Sequence, residues 1–120
     1  MSEYEDIRGS ASKQDRIIRI YKNRVVLNAR AGYVLYNPAN PYLGFRVDGH
    51  NRVFIMPEAK SWGFHVTTRK LRSSSYINSV RLCRILIEKL GGKGAYKIEE
   101  LSTKFPDGLG YRILPERLIV

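Results

Sequence analysis

The sequence predicts an α+β domain: an antiparallel, strand-rich sheet with one main helix, about 78–90, packed on it, and a small C-terminal hairpin. Three observations predict it. Apolar and polar residues alternate in several short runs bounded by turn residues, the period of a half-buried strand. Only one run, from Asn78 to Leu90, carries a helical stripe. The 120 residues, 43% of them apolar, are enough to enclose one core.

Residues 1–14 are polar and aperiodic and read as a flexible acidic arm; residues 15–120 read as a single basic domain. From Arg16, Ile18 and Ile20 alternate with Arg19 and Tyr21. The polar group Tyr21–Lys22–Asn23 breaks the run, and Val25, Val26 and Leu27 resume it, so a strand, a tight turn and a second strand are expected. The stretch Tyr33–Val34–Leu35–Tyr36 is punctuated by Gly32, Pro38 and Pro41. It reads as either a short strand or one helical turn, because the prolines argue against a long helix.

Leu43, Phe45 and Val47 form an alternating run, Asp48–Gly49 is hairpin-turn chemistry, and Val53–Met56 is the returning arm, ended by Pro57. Phe45, Phe54 and Phe64 are expected in the core. Trp62, Phe64 and Val66 predict a further strand, with His65 on its other face.

Residues 69–75, Arg-Lys-Leu-Arg-Ser-Ser-Ser, read as a loop running straight into a helix N-terminus. Asn78 is the expected N-cap, with Ile77 before it stapled to Leu82. Val80, Cys83, Leu86, Ile87 and Leu90 form the stripe, and Gly91 stands where a C-terminal cap belongs. Ala95 to Ile98 and Tyr111 to Leu114, closed by Pro115, supply the last hairpin.

Charge is the strongest pointer to function. Lys and Arg total 21 against 11 Asp and Glu, a formal +10. Residues 16–89 hold fourteen basic and three acidic groups, a net +11, so the excess lies in the middle of the chain. Such a field attracts polyanions, and Arg, which outnumbers Lys, has the planar fork that matches phosphate. Three readings follow. The first is a nucleic-acid-binding protein that contacts phosphates with limited sequence specificity. The second is an interaction or inhibitor protein whose basic face docks on an acidic partner protein. The third is a metal-independent ribonuclease using His65, Arg69, Lys70 and Tyr76.

For the first reading the candidate phosphate contacts are Arg69, Lys70, Arg72, Ser73 and Ser74 in the loop, where helix N–H groups would assist. Arg81 and Arg84 in the helix and Arg19, Arg24, Arg46 and Arg52 in the strands extend the face. Tyr21, Tyr33, Tyr36 and Trp62 are candidate base-stacking side chains. No metal site or cofactor is expected: His50, His65 and Cys83 lack ligand spacing, and Gly91–Gly92–Lys93–Gly94 follows a helix instead of opening one. Asp48, Glu58 and Glu88 do not suggest a paired-carboxylate site, so an enzyme is not expected. The lone thiol Cys83 and the lack of a long apolar run lead us to expect a cytoplasmic protein with no membrane contact.

The run Val25 to Met56, with strand, irregular segment, strand, Asp48–Gly49 turn and strand, is similar to the core of AbrB-like swapped-hairpin DNA-binding proteins. Asn37–Pro38–Ala39–Asn40–Pro41 stands where those proteins carry Leu-Gly and Pro-Gly-Asp. The order Trp62–Gly63–Phe64, basic Ser-rich loop and helix opening at Asn78–Ser79 resembles small phage and prophage proteins. The first resemblance implies DNA over RNA and a homodimer.

Overall fold

The computed structural model describes residues 15–68, 74–101 and 110–118. In chain order the elements are β1 (Ile17–Ile20), β2 (Arg24–Leu27), α1 (Ala29–Leu35), β3 (Tyr42–Val47), β4 (Val53–Pro57), β5 (Phe64–His65), β6 (Thr67–Thr68), β7 (Ser75–Asn78), α2 (Val80–Leu90), β8 (Gly94–Glu100) and β9 (Tyr111–Leu118). The strand-rich α+β class holds, with two helices among the described residues and every strand pair antiparallel.

The strand order is β5-β3-β4-β9-β8-β1-β2-β7-β6. Its two edges, β5 and β6, are separated in the chain by Val66 alone. One short segment therefore pairs with β3 at its start and with β7 at its end, and the sheet curls into a nearly closed, barrel-like form. Val66 itself is buried, and its N–H donates to the Pro41 carbonyl at 2.9 Å.

Alternation fills the interior. Ile18, Ile20, Val25, Leu27, Val53, Ile55, Ile77, Tyr96 and Ile113 all belong to the buried core. Tyr96 is fully buried yet satisfied, because its hydroxyl donates to the Gly92 carbonyl at 2.6 Å. The helix α2 packs on β1, β2 and β4, which are not all sheet neighbours, so it lies across the curve of the sheet and adds Leu82, Cys83, Leu86 and Leu90 to the core.

Several expectations are corrected. The C-terminal strands do pair, but they are no small appendage: β9 and β8 lie mid-sheet and join the β3–β4 hairpin to β1–β2. The strand β9 also runs past Pro115 to Leu118. The proline is tolerated because the register shifts there, from Ile98↔Ile113 to Tyr96↔Arg117.

Tyr33–Leu35 belongs to a two-turn helix, α1. Asn28 caps it, accepting the Ala31 N–H at 2.9 Å, and Pro38 and Pro41 lie beyond its end. Asn28 also accepts the Ile17 N–H and donates to the Asp15 carbonyl, so one amide ties the start of β1 to the start of α1. The cap of α2 is Ser79, which accepts the Leu82 N–H at 3.0 Å; Asn78 is the last residue of β7. Val80, expected on the buried stripe, is exposed, and Leu82 takes the inward place. Trp62 lies outside any strand, in the turn before β5. Phe45 and Phe64 pack against the core, whereas Phe54 is only half-buried and stays outside it.

Candidate nucleic-acid interface

The outer face of β8–β1–β2–β7 gathers cations around one exposed tyrosine. On β1 and β2 the burial of Ile18, Ile20, Val25 and Leu27 sends Arg19, Arg24 and Val26 outward. On β7, inward Ser75 and Ile77 leave Tyr76 and Asn78 outside. The register sets Arg19 between Ala95 and Val26, Val26 beside Tyr76, and Arg24 beside Asn78.

Arg24 is held in place. Its guanidinium carbon stands 4.4 Å from the centre of the Tyr76 ring, and its Nε donates to Asn78 Oδ1 at 2.9 Å. These contacts orient the guanidinium without cancelling its charge. Tyr21 opens the β1–β2 turn, donates its N–H to the Arg24 carbonyl at 2.9 Å, and keeps 48% of its surface exposed. It borders two shallow depressions. Asn23, Arg24, Val26 and Ser74 line the first with it; Arg19, Ile20, Lys93, Gly94 and Ala95 line the second.

Lys93, which borders the second depression, lies between two glycines. Gly92 and Gly94 have φ of 148° and 145°, and a Cβ on either would run into the Arg117 side chain. Arg117 lies against both and donates Nη1–H to the Lys93 carbonyl at 3.0 Å. Among the described residues no carboxylate pairs with Arg19, Arg24, Lys93 or Arg117; the nearest ion pair in sequence terms is Lys97 with Asp15, at 3.6 Å.

The β3–β4 half treats its arginines differently. Arg52 Nε meets Asp48 Oδ2 at 2.6 Å, and Asp48 Oδ1 accepts the His50 and Arg52 N–H groups at 2.8 and 2.9 Å. Partial desolvation pushes that carboxyl upward, but the two N–H groups and the guanidinium outweigh it and bring its pKa down to about 2. Arg46 Nη2 meets Glu58 Oε2 at 3.0 Å; the Ala59 N–H and Arg46 hold that carboxyl below its ordinary value. Gly44 makes room for the Glu58 side chain, since a Cβ there would strike it. Trp62, 81% exposed, borders a third depression with Gly44, Phe45, Arg46, Glu58 and Phe64.

The remaining candidates scatter. Arg81 and Arg84 are exposed on the outer arc of α2 with Val80, Ile85 and Glu88. Tyr33 is exposed on α1, far from burial at 87%, while Tyr36 packs against the core. Arg69, Lys70, Arg72 and Ser73 lie outside the described residues. Ser74, which follows them, shares a depression with Arg24. The strand β7 stands between that segment and α2, so the loop does not run directly into the helix. His65 is exposed, its ring edge-on to Tyr42 at 5.3 Å, and Tyr76 is engaged with Arg24.

The sequence reading puts Arg19, Arg24, Arg46 and Arg52 on one broad basic face with Arg81 and Arg84, whereas the structure groups Arg19 and Arg24 with Tyr21 and adds Lys93 and the Tyr76–Asn78 support of Arg24. No local pattern in the sequence marks these, since they depend on the pairing of β8 with β1 and of β2 with β7. No His, Cys, Asp or Glu cluster fit to hold a metal occurs among the described residues, and none of their helices is long and apolar enough to cross a membrane. Comparison with protein families, with curated proteins and with solved structures finds no match.

Proposed function

We propose that the protein binds nucleic acid through phosphate contacts made by the outer face of β8–β1–β2–β7, with limited sequence specificity. The observation that carries this reading is the grouping of Arg19, Arg24 and Lys93 around Tyr21 on one face with no carboxylate partner among the described residues. A pre-oriented guanidinium such as that of Arg24 loses little freedom on meeting a phosphate. Nothing in this patch fixes a base sequence, so affinity is expected to come mainly from counterion release. DNA is the first ligand to try, on the resemblance of the Val25–Met56 run.

The test is binding of labelled DNA and RNA, single- and double-stranded and of equal length, across a salt series with a chelator present. Tight binding that falls steeply with salt and leaves the oligonucleotide intact is the expected result. Absence of binding at low salt would overturn the reading and turn attention to an acidic protein partner; cleavage of the RNA would favour a nuclease instead.

A further inference from the structure

Resting on the proposed function, we infer that the nucleic acid is taken as a single strand, laid over β8–β1–β2–β7 with a base stacked on Tyr21. Three features of that face argue for it.

The first is width. The β1–β2 hairpin is flanked by β8 and β7 in the sheet. Strands lie about 4.8 Å apart, so the four-stranded face is roughly 14 Å across before side chains are added. The major groove is about 12 Å wide and admits a helix or a two-stranded ribbon. This hairpin cannot enter it without its neighbours.

The second is the setting of Tyr21. It stands in a turn, about half exposed, with a depression on either side. Small or short groups are part of each lining: Val26 and Ser74 on one side, Gly94 and Ala95 on the other. A planar base fits beside the ring in either hollow only if it is free of a duplex stack.

The third is the placing of charge around the ring. Arg19 and Lys93 border one hollow and Arg24 the other, so a backbone crossing Tyr21 meets a cation on each side. The rival duplex-binding surface is the outer arc of α2, which could lie in a groove. It sets Glu88 one turn from Arg84 and exposes apolar Val80 and Ile85 among its arginines, a poorer match to a polyanion.

The experiment compares labelled oligothymidylate with a mixed-sequence duplex of the same length, against the parent protein and Tyr21→Ala, Tyr21→Phe, Arg19→Gln/Arg24→Gln and Arg81→Glu/Arg84→Glu. The single strand is expected to bind at least about tenfold more tightly than the duplex. Tyr21→Ala should weaken it about tenfold with the salt slope unchanged, and Tyr21→Phe should keep the parent affinity, because the ring and not the hydroxyl makes the stack. Duplex binding equal to or tighter than single-strand binding overturns the inference. So does a Tyr21→Ala protein that matches the parent while Arg19→Gln/Arg24→Gln loses affinity; in both cases nucleic-acid binding by the chain survives. Loss confined to Arg81→Glu/Arg84→Glu would move the site to α2. Failure of both ligands to bind the parent removes the proposed function together with this inference.

Discussion

The two halves of the sheet carry arginines in similar positions and use them in opposite ways. Around β3 and β4, Arg46 and Arg52 each meet a carboxylate of their own half, Glu58 and Asp48. Around β1 and β2, Arg19 and Arg24 meet none among the described residues, and Arg24 is braced by a tyrosine ring and an amide instead. The formal charge of a segment is therefore a poor guide to the charge it offers. A guanidinium already held by a carboxylate must break that pair, at a cost, before it takes a phosphate.

The largest expected effect tests that contrast directly. Arg19→Gln/Arg24→Gln should weaken nucleic-acid binding by on the order of 30-fold or more and shrink the salt slope by about 1.4 to 1.8, the range for two lost phosphate contacts on single strands or duplex. Arg46→Gln/Arg52→Gln should stay within about threefold of the parent in the same titration. Equal losses in the two double variants would erase the distinction between the halves.

Next come two changes that act on stability, one in each half. Gly63 leaves room for Tyr42 Cβ, which a methyl group there would meet at 2.8 Å, with the Ala59 carbonyl tight behind it at 3.1 Å. Gly63→Ala should lower unfolding free energy by about 1–3 kcal/mol in urea denaturation. Asn28→Ala removes the cap of α1 and the tie to Ile17 and Asp15 and should cost about 1–2 kcal/mol. Residual binding at full occupancy of the folded state should be normal for Gly63→Ala, since its site is on the other half; a selective loss there would show that the halves are coupled.

The smallest effect concerns acid. Asp48 titrates at about 2 in the folded protein against 3.8 ordinarily, so its contribution to stability is complete above 3.8 and is lost as the pH falls toward 2. Asp48→Asn should flatten the fall of the urea midpoint across that window. It also frees Arg52, and nucleic-acid binding at neutral pH should rise by no more than about twofold. A large rise would mean that pairing alone, and not position, had silenced Arg52.

How far the sequence could be read depends on how local each signal was. The β1–β2 and β3–β4 hairpins were legible because alternation, turn residues and strand length all lie within a few residues of one another. The end of α2 was legible at Gly91, whose φ of 92° is the left-handed cap expected there. The strand β7 was missed because Ser75–Tyr76–Ile77–Asn78 is short and its inward residue Ser75 is a polar one. The helix α1 was left ambiguous by prolines that lie just past its end.

The candidate face divides the same way. Tyr21, Arg19 and Arg24 are two to five positions apart, and the sequence names each as a candidate without separating these arginines from Arg46 and Arg52. Lys93 joins them through the pairing of β8 with β1, a contact that no local pattern encodes. The silencing of Arg46 by Glu58 likewise depends on the strand register and on a glycine that admits the acid.

The central place of β8 and β9 has a consequence for the order in which the chain is made. Residues up to Leu90 contain both hairpin halves, and until residues 94–118 leave the ribosome those halves are connected edgewise, among the described residues, only through the segment around Val66. The strands that rivet them together are synthesised after both, so the face that unites Arg19 with Lys93 is complete only when translation has passed β8.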